Sequence, residues 1–343
     1  MSHLEQEIAE QPEAIRRLLT TQASTAQQIA DAIRQFNPVF VLIAARGTSD
    51  NAGRYAQYLM GIQAQLPVAL AAPSIHTLYE APPNLARALV IGISQSGQAQ
   101  DVRTVIGDAK AQGALTVSIT NDADSPLARV ADYHLPLSAG KELAVAATKT
   151  YTAELAAIAM IVTALIDKNH DALAKLPEYL AETLQLSDGI GDWAQRYRYM
   201  ERFAVIGRGY NYCTAFEVSL KIKELCSITG VEYSEADFRH GPIALIQPGF
   251  PVLTVAPSGK TLPGMTDLLK RLTESHAECL VISDDDTACS FAQNAMRLPH
   301  NMPEWLTPVV AVVPGQIFAM RLAGVKGFSL DAPTGLTKVT ITA

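Results

Sequence analysis

In the stretch Phe216-Glu217-Val218-Ser219-Leu220-Lys221-Ile222-Lys223-Glu224, two carboxylates and an ammonium recur at i, i+4 and i+7. On a helix that spacing puts Glu217, Lys221 and Glu224 on one face and rotates Lys223 away from it. A carboxylate held beside an ammonium can accept a proton near neutral pH and hand it on, which is general acid–base chemistry. The same spacing also describes an ordinary solvated Glu–Lys pair, so these residues alone leave both readings open.

Two further segments suit a different task. Arg46-Gly47-Thr48-Ser49 and Ser94-Gln95-Ser96-Gly97-Gln98 each gather hydroxyls and a glycine directly after an apolar run. Hydroxyls and the backbone N–H groups at a helix start hold an anion such as phosphate without a strong net charge. Gly47 and Gly97 let the backbone approach closely. Ser, Thr and Gly also cap helices and make turns; two such loops on strands of one sheet favour phosphate over that reading. Neither loop is a Gly-x-Gly-x-x-Gly or Gly-Lys-Thr pattern, so a nucleotide fits poorly.

Such loops must be carried by strands. The runs 39–45, 88–93 and 115–119 are continuously apolar, as in parallel strands buried on both faces. Helix-like segments at 50–62 and 99–112 separate them, which predicts an α/β sheet with right-handed crossovers. In such sheets ligands sit beyond the carboxyl ends of the strands, where both loops fall. The second half repeats the first. Phe203 to Gly209 echoes Val41 to Gly47, so Arg208 stands 162 residues after Arg46; Pro251 to Gly259 echoes Leu89 to Gly97, so Ser258 stands 162 residues after Ser96. Cys279 to Ser283 takes the place of the third strand.

The predicted fold is therefore two tandem doubly wound parallel-sheet α/β domains, flavodoxin-like three-layer sandwiches. The boundaries are a helical segment 1–36, a first domain 37–168, a helical linker 169–200, a second domain 201–330 and a tail 331–343. The chain after Pro314 reads as a helix followed by a short extended end. The loops of the second copy, Arg208-Gly209-Tyr210 and Pro257-Ser258-Gly259, lack the hydroxyl chemistry of the first, which predicts a division of labour between the copies.

Composition narrows the function classes. A net charge of −7 over 343 residues disfavours nucleic acid as a partner, because phosphate backbones need clustered Lys and Arg; it does not disfavour a small anion. The four cysteines, Cys213, Cys226, Cys279 and Cys289, form no C-x-x-C and read as reduced core residues of a cytoplasmic protein. None of the seven histidines stands three to five residues from another, so no metal site is expected. The amino terminus lacks a signal-peptide pattern. The longest apolar run, Leu155 to Ile166, is too short to span a bilayer and reads as a buried helix, so no membrane partner is expected.

The motifs together resemble the sugar isomerase domain family. Ser94-Gln95-Ser96-Gly97 is similar to its phosphate loop, Phe216 to Glu224 resembles the catalytic helix of the isomerase half of glucosamine-6-phosphate synthase, and Arg239-His240-Gly241-Pro242-Ile243-Ala244-Leu245-Ile246 resembles the ring-opening histidine loop. Ala144-Val145-Ala146-Ala147-Thr148-Lys149 and Leu336-Thr337-Lys338 match two further stretches, so the resemblance runs in order over about residues 35–343. It implies that Gly47, Thr48, Ser49, Ser94, Gln95 and Ser96 bind a sugar phosphate. It also implies that Glu224 carries a proton between C1 and C2, and that His240 opens the ring from the neighbouring subunit of a homodimer with shared sites. Lys221 and Lys338 would contact the open-chain sugar, with Glu217 and the backbone at Val145 lining the pocket. No cofactor is implied. Two departures bear on the substrate: the loop continues Gly97-Gln98-Ala99 where synthases carry Gly-Glu-Thr, and Thr334 stands where they carry arginine.

Synthases also have an amino-terminal glutamine-hydrolysing domain with a cysteine after the initiator methionine, whereas here Ser2 follows Met1. The resulting expectation is hydrolytic deamination of an amino-sugar 6-phosphate, glucosamine 6-phosphate going to fructose 6-phosphate and ammonia. A simple phosphosugar isomerase, a fructosamine-6-phosphate deglycase and a non-catalytic sugar-phosphate sensor stand as alternatives.

Overall fold

The computed structural model describes residues 1–338. Three helices open the chain, α1 (His3–Ala9), α2 (Gln11–Thr21) and α3 (Ala23–Phe36). Then follow β1 (Phe40–Ala44), α4 (Gly47–Gln63), β2 (Val68–Leu70), β3 (Ala88–Ser94), α5 (Gln100–Ala111), β4 (Leu115–Thr120), β5 (Tyr133–Pro136) and α6 (Lys149–Ile166). The second half holds β6 (Arg202–Gly207), α7 (Tyr212–Cys226), β7 (Thr229–Ser234), β8 (Pro251–Val255), α8 (Leu262–Glu274), β9 (Glu278–Ser283), β10 (Asn294–Arg297) and α9 (Thr307–Lys326).

Among the described residues every strand pairing is parallel, and the two five-stranded sheets have the orders β2-β1-β3-β4-β5 and β10-β9-β8-β6-β7. Read from the β7 end, the second order repeats the first strand for strand. The duplication seen in the sequence is thus a duplication of topology, with two tandem α/β domains. In each sheet the order reverses direction between the first strand and the strand after next, between β1 and β3 and between β6 and β8.

The chain forms two compact units. The first-sheet unit comprises Gln11–Glu142, Lys149–Lys175 and, of the described tail, Thr337 and Lys338; the second-sheet unit comprises Met1–Glu10, Leu143–Thr148 and Leu176–Leu336. The segment 169–200, read in the sequence as a helical linker, is therefore divided between them at Lys175.

Central strands of both units are buried on both faces, as their unbroken apolar runs require. In the first-sheet unit α6 packs against α2, α3 and α4. Its residues Lys149 to Ala164 are all buried, and each fully buried Leu or Ile there contributes about 1.5–3 kcal/mol. In the second-sheet unit α9 packs against α7 and is buried almost all round. By length and composition alone α6 and the segment Glu304–Lys326 would cross a bilayer, but 89% and 83% of their most apolar stretches are buried inside the protein, as core helices are.

One element differs from its reading. Pro314 does not precede the last helix but sits inside it, because α9 already starts at Thr307. A helix buried on every side has no apolar stripe to betray its start, and its interior proline removes one backbone donor. The next residue explains the local sequence: a Cβ on Gly315 would lie 2.4 Å from Val218 Cγ2, so glycine lets α9 close onto α7. All four cysteines are buried, and burial pushes the Cys226 thiol up to about 12 and the Cys279 thiol up to about 11.

Candidate active site

In the first-sheet unit the two hydroxyl loops leave the carboxyl ends of β1 and β3, neighbours at the point where the strand order reverses. Gly47, at φ 53°, turns the chain from β1 into α4, and neither Arg46 before α4 nor Ala99 before α5 caps its helix with a side chain. Helix starts without a side-chain cap present N–H donors and a positive dipole end to an anion. Ser94 Oγ accepts the Gly97 N–H at 3.1 Å and Ser96 Oγ accepts the Gln98 N–H at 3.3 Å, so each hydroxyl keeps its own proton to donate. The Gln95 carbonyl accepts the Asn121 N–H at 3.0 Å, fixing the loop to β4's end. Gly97 is required: at φ 62°, a Cβ would stand 2.2 Å from Ser125 Oγ.

Ser49 differs from the other loop hydroxyls. It is buried, and its Oγ donates to Glu154 Oε1 at 2.8 Å, inside α6. Its proton therefore points into the core and holds α4 against α6. Arg46 spans from one loop to the other: its Nε donates to Asp101 Oδ2 at 2.7 Å, in the first turn of α5. Glu142 is the third buried carboxylate of this unit. It accepts the N–H and hydroxyl of Thr150 at 3.1 and 2.7 Å and takes the Lys338 ammonium at 2.8 Å.

In the second-sheet unit α7 carries the acid–base residues. Glu217 and Lys221 are fully buried, and Lys221 Nζ lies 3.4 Å from Glu217 Oε1 and 2.6 Å from Glu224 Oε2. The Glu224 side chain is 24% exposed, so the line of three groups starts in the core and surfaces at one carboxylate. The two carboxylates flank the buried Lys221 nitrogen and offset the cost of burying its charge. Lys223 turns the other way and pairs with Glu232 at 2.7 Å, which also accepts Ser219 Oγ at 2.8 Å. α7 itself is tied to the start of α9 through Asn211, which accepts from Thr214 at 3.0 Å and donates to Thr307 at 2.7 Å.

His240 follows the short helix Glu235–Arg239 and precedes Gly241, whose φ is 144°. Its N–H donates to the Asp237 carbonyl at 3.1 Å, and its side chain makes no hydrogen bond or ion pair among the described residues. The Val145 N–H donates to the Asp331 carbonyl at 3.1 Å, while Asp331 caps the N–H groups of His3 and Leu4. The sequence-predicted residues thus form two sets. Gly47, Thr48, Ser49, Ser94, Gln95, Ser96 and Lys338 belong to the first-sheet unit, and Glu217, Lys221, Glu224, His240 and Val145 to the second. Among the described residues no three His, Cys, Asp or Glu side chains converge as a metal site would need.

The SIS domain profile matches residues 40–164 and 198–326, the two sheets in turn. The chain belongs to the SIS domain family. This SIS-domain protein is 33% identical over 340 residues to the glutamine–fructose-6-phosphate aminotransferase (isomerizing) of Pyrococcus horikoshii, matching 97% of the present chain and 56% of that protein. It thus spans about half the length of the curated relatives it matches. Among solved structures it superposes with a TM-score of 0.85 on a candidate phosphosugar isomerase from Silicibacter pomeroyi, 31% identical and covering 96% of this chain and 99% of that one. It gives the same TM-score of 0.85 with the carboxyl-terminal domain of glucosamine-fructose-6-phosphate aminotransferase from Francisella tularensis, 26% identical with 97% and 98% coverage.

Proposed function

We propose that this SIS-domain protein moves a proton between C1 and C2 of a hexose 6-phosphate, and that its substrate is an amino sugar, glucosamine 6-phosphate converted to fructose 6-phosphate and ammonia. The observation that carries the reading is the Lys221–Glu224 contact of 2.6 Å at the surfacing end of an otherwise buried helix face. A carboxylate fixed by an ammonium is poised to act as base and then as acid on adjacent atoms.

In this scheme the hydroxyls of Thr48, Ser94 and Ser96 and the backbone of the Gly47–Ser49 and Ser94–Gly97 loops hold the phosphate, with the Ser49 hydroxyl anchoring its loop to Glu154. His240 assists ring opening, reaching the sugar from the neighbouring subunit of a homodimer. Glu224 removes the C2 proton and returns it to C1, giving the fructosimine. Water adds at C2, the C–N bond breaks and ammonia leaves. Lys221 and Lys338 contact the open-chain sugar, with Glu217 and the Val145 backbone beside it. The scheme uses no cofactor and places the reaction in the cytoplasm. The likeness to an enzyme that joins nitrogen to fructose 6-phosphate supports the amino-sugar substrate, and the excess of water over free ammonium draws such a reaction toward release.

Purified protein given glucosamine 6-phosphate, with fructose 6-phosphate and ammonia both measured, tests the proposal. Release of the two products in equal amounts supports it; no ammonia from any amino-sugar phosphate rules the deamination out. The likeness to a candidate phosphosugar isomerase favours a second reading, enolisation without nitrogen. A panel of hexose 6-phosphates and fructosamine 6-phosphates separates that reading, and a deglycase, from deamination.

A further inference from the structure

We infer that Arg46 is a phosphate-binding residue of this protein, the cation that its hydroxyl loops lack. The inference rests on the proposed phosphate site and adds to it a residue and a charge.

The loops offer a dianion few outward donors. Ser49 spends its hydroxyl proton on Glu154, and Ala99 has no hydroxyl to give. The remaining side-chain donors are neutral, in a chain whose net charge is −7. Arg46 closes this gap by its position. It is the residue before Gly47 at the carboxyl end of β1, and it reaches the first turn of α5, which follows the β3 loop. Its side chain therefore runs from the end of β1 to the start of the helix that follows β3, at the place where the strand order reverses.

The Asp101 contact orients it. Asp101 is fully buried and takes Nε alone, at 2.7 Å. A guanidinium has five N–H donors in a rigid fork, so fixing Nε aims the two terminal nitrogens in a set direction. Those two nitrogens make no hydrogen bond or ion pair among the described residues, and the Arg46 side chain is 51% exposed. The buried carboxylate behind and the half-exposed cation in front make a dipole with its positive end outward. The field of Arg46 is felt locally: burial raises the Asp50 carboxyl above its usual range, while Arg54 and then Arg46 oppose the rise.

The second copy provides a contrast. Arg208 occupies the matching strand end, but it pairs through a terminal nitrogen with Glu235, which also holds Arg239. There the fork itself is engaged, and the hydroxyl loops are missing.

The test is calorimetric binding of inorganic phosphate and of fructose 6-phosphate to the full chain and to Arg46→Gln. A direct charge-assisted contact should weaken both by about 10- to 100-fold in the variant, with a smaller salt dependence of binding. Unchanged affinity for both in a folded Arg46→Gln overturns the inference and leaves the phosphate site standing. A native chain that binds neither probe removes the phosphate site as well. Should the variant fold poorly, the native chain gives the answer through arginine-selective dicarbonyl labelling read by peptide mass. Phosphate should slow labelling of Arg46 at least several-fold, and equal labelling with and without phosphate overturns the inference.

Discussion

Lys338 Nζ lies 2.8 Å from Oε2 of Glu142, a carboxylate whose side chain has no solvent exposure. Glu142 also accepts the N–H and hydroxyl of Thr150 at the start of α6, so one buried acid joins Lys338 to that helix. A buried carboxylate that loses an ionic partner costs about 3–5 kcal/mol, which makes this pairing strongly preferred over a solvated tail.

If Glu142 works by positioning Lys338, Glu142→Gln should lower kcat about as far as Lys338→Met, with KM for the phosphorylated substrate changing little. The double variant should be no worse than either single one, because both remove the same interaction. Additive losses in steady-state kinetics would show that Glu142 acts independently of Lys338.

Gly97 supports a second expectation. At φ 62°, with Ser125 Oγ 2.2 Å from where a Cβ would lie, alanine strains the backbone and collides with a packed side chain. Gly97→Ala should destabilise the protein by about 1–3 kcal/mol. It should also weaken inorganic phosphate binding, since Gly97 and Gln98 N–H groups shape Ser94 and Ser96. Thermal unfolding and calorimetry read the two effects; a variant matching the native chain in both would deny the loop its constrained form.

The pH dependence follows from His134. Burial lowers its pKa below the usual histidine range, against smaller upward pulls from Asp122 and Thr120, and its Nε2 lies 2.9 Å from Thr120 Oγ1. The folded state therefore prefers the neutral ring. Its stabilisation is complete above the unfolded value of about 6.5 and is lost as pH falls through the lower folded value. Urea midpoints should drop between pH 7.5 and 5, and His134→Gln should flatten that drop. Identical slopes would remove His134 from the pH response.

The sequence disclosed the scaffold through its buried strands. β1, β3, β4, β6, β8 and β9 are runs of five to seven residues with buried interiors, and the 162-residue repeat aligns β1 with β6 and β3 with β8. The edge strands β2, β5, β7 and β10 are short or half-polar, because an edge has one neighbour and less apolar surface to cover. The α7 residues were legible because their contacts are local, four and three residues apart. Asp101, Glu154 and Glu142 were not. Their partners stand 55, 105 and 196 residues away, and only the folded topology brings such isolated acids to their places. The start of α9 was hidden for the opposite reason, its burial on all sides.

The role of Glu224 is the centre of the account. Conversion of glucosamine 6-phosphate in deuterium oxide, followed by NMR at C1 and C2, tests it most directly when native protein and Glu224→Gln are compared. The native chain should exchange or transfer hydrogen at C1 and C2. The variant should lose at least about 100-fold in that rate while still binding inorganic phosphate. Exchange by Glu224→Gln at the native rate, or no hydrogen movement by the native chain on any hexose 6-phosphate, would contradict the assignment.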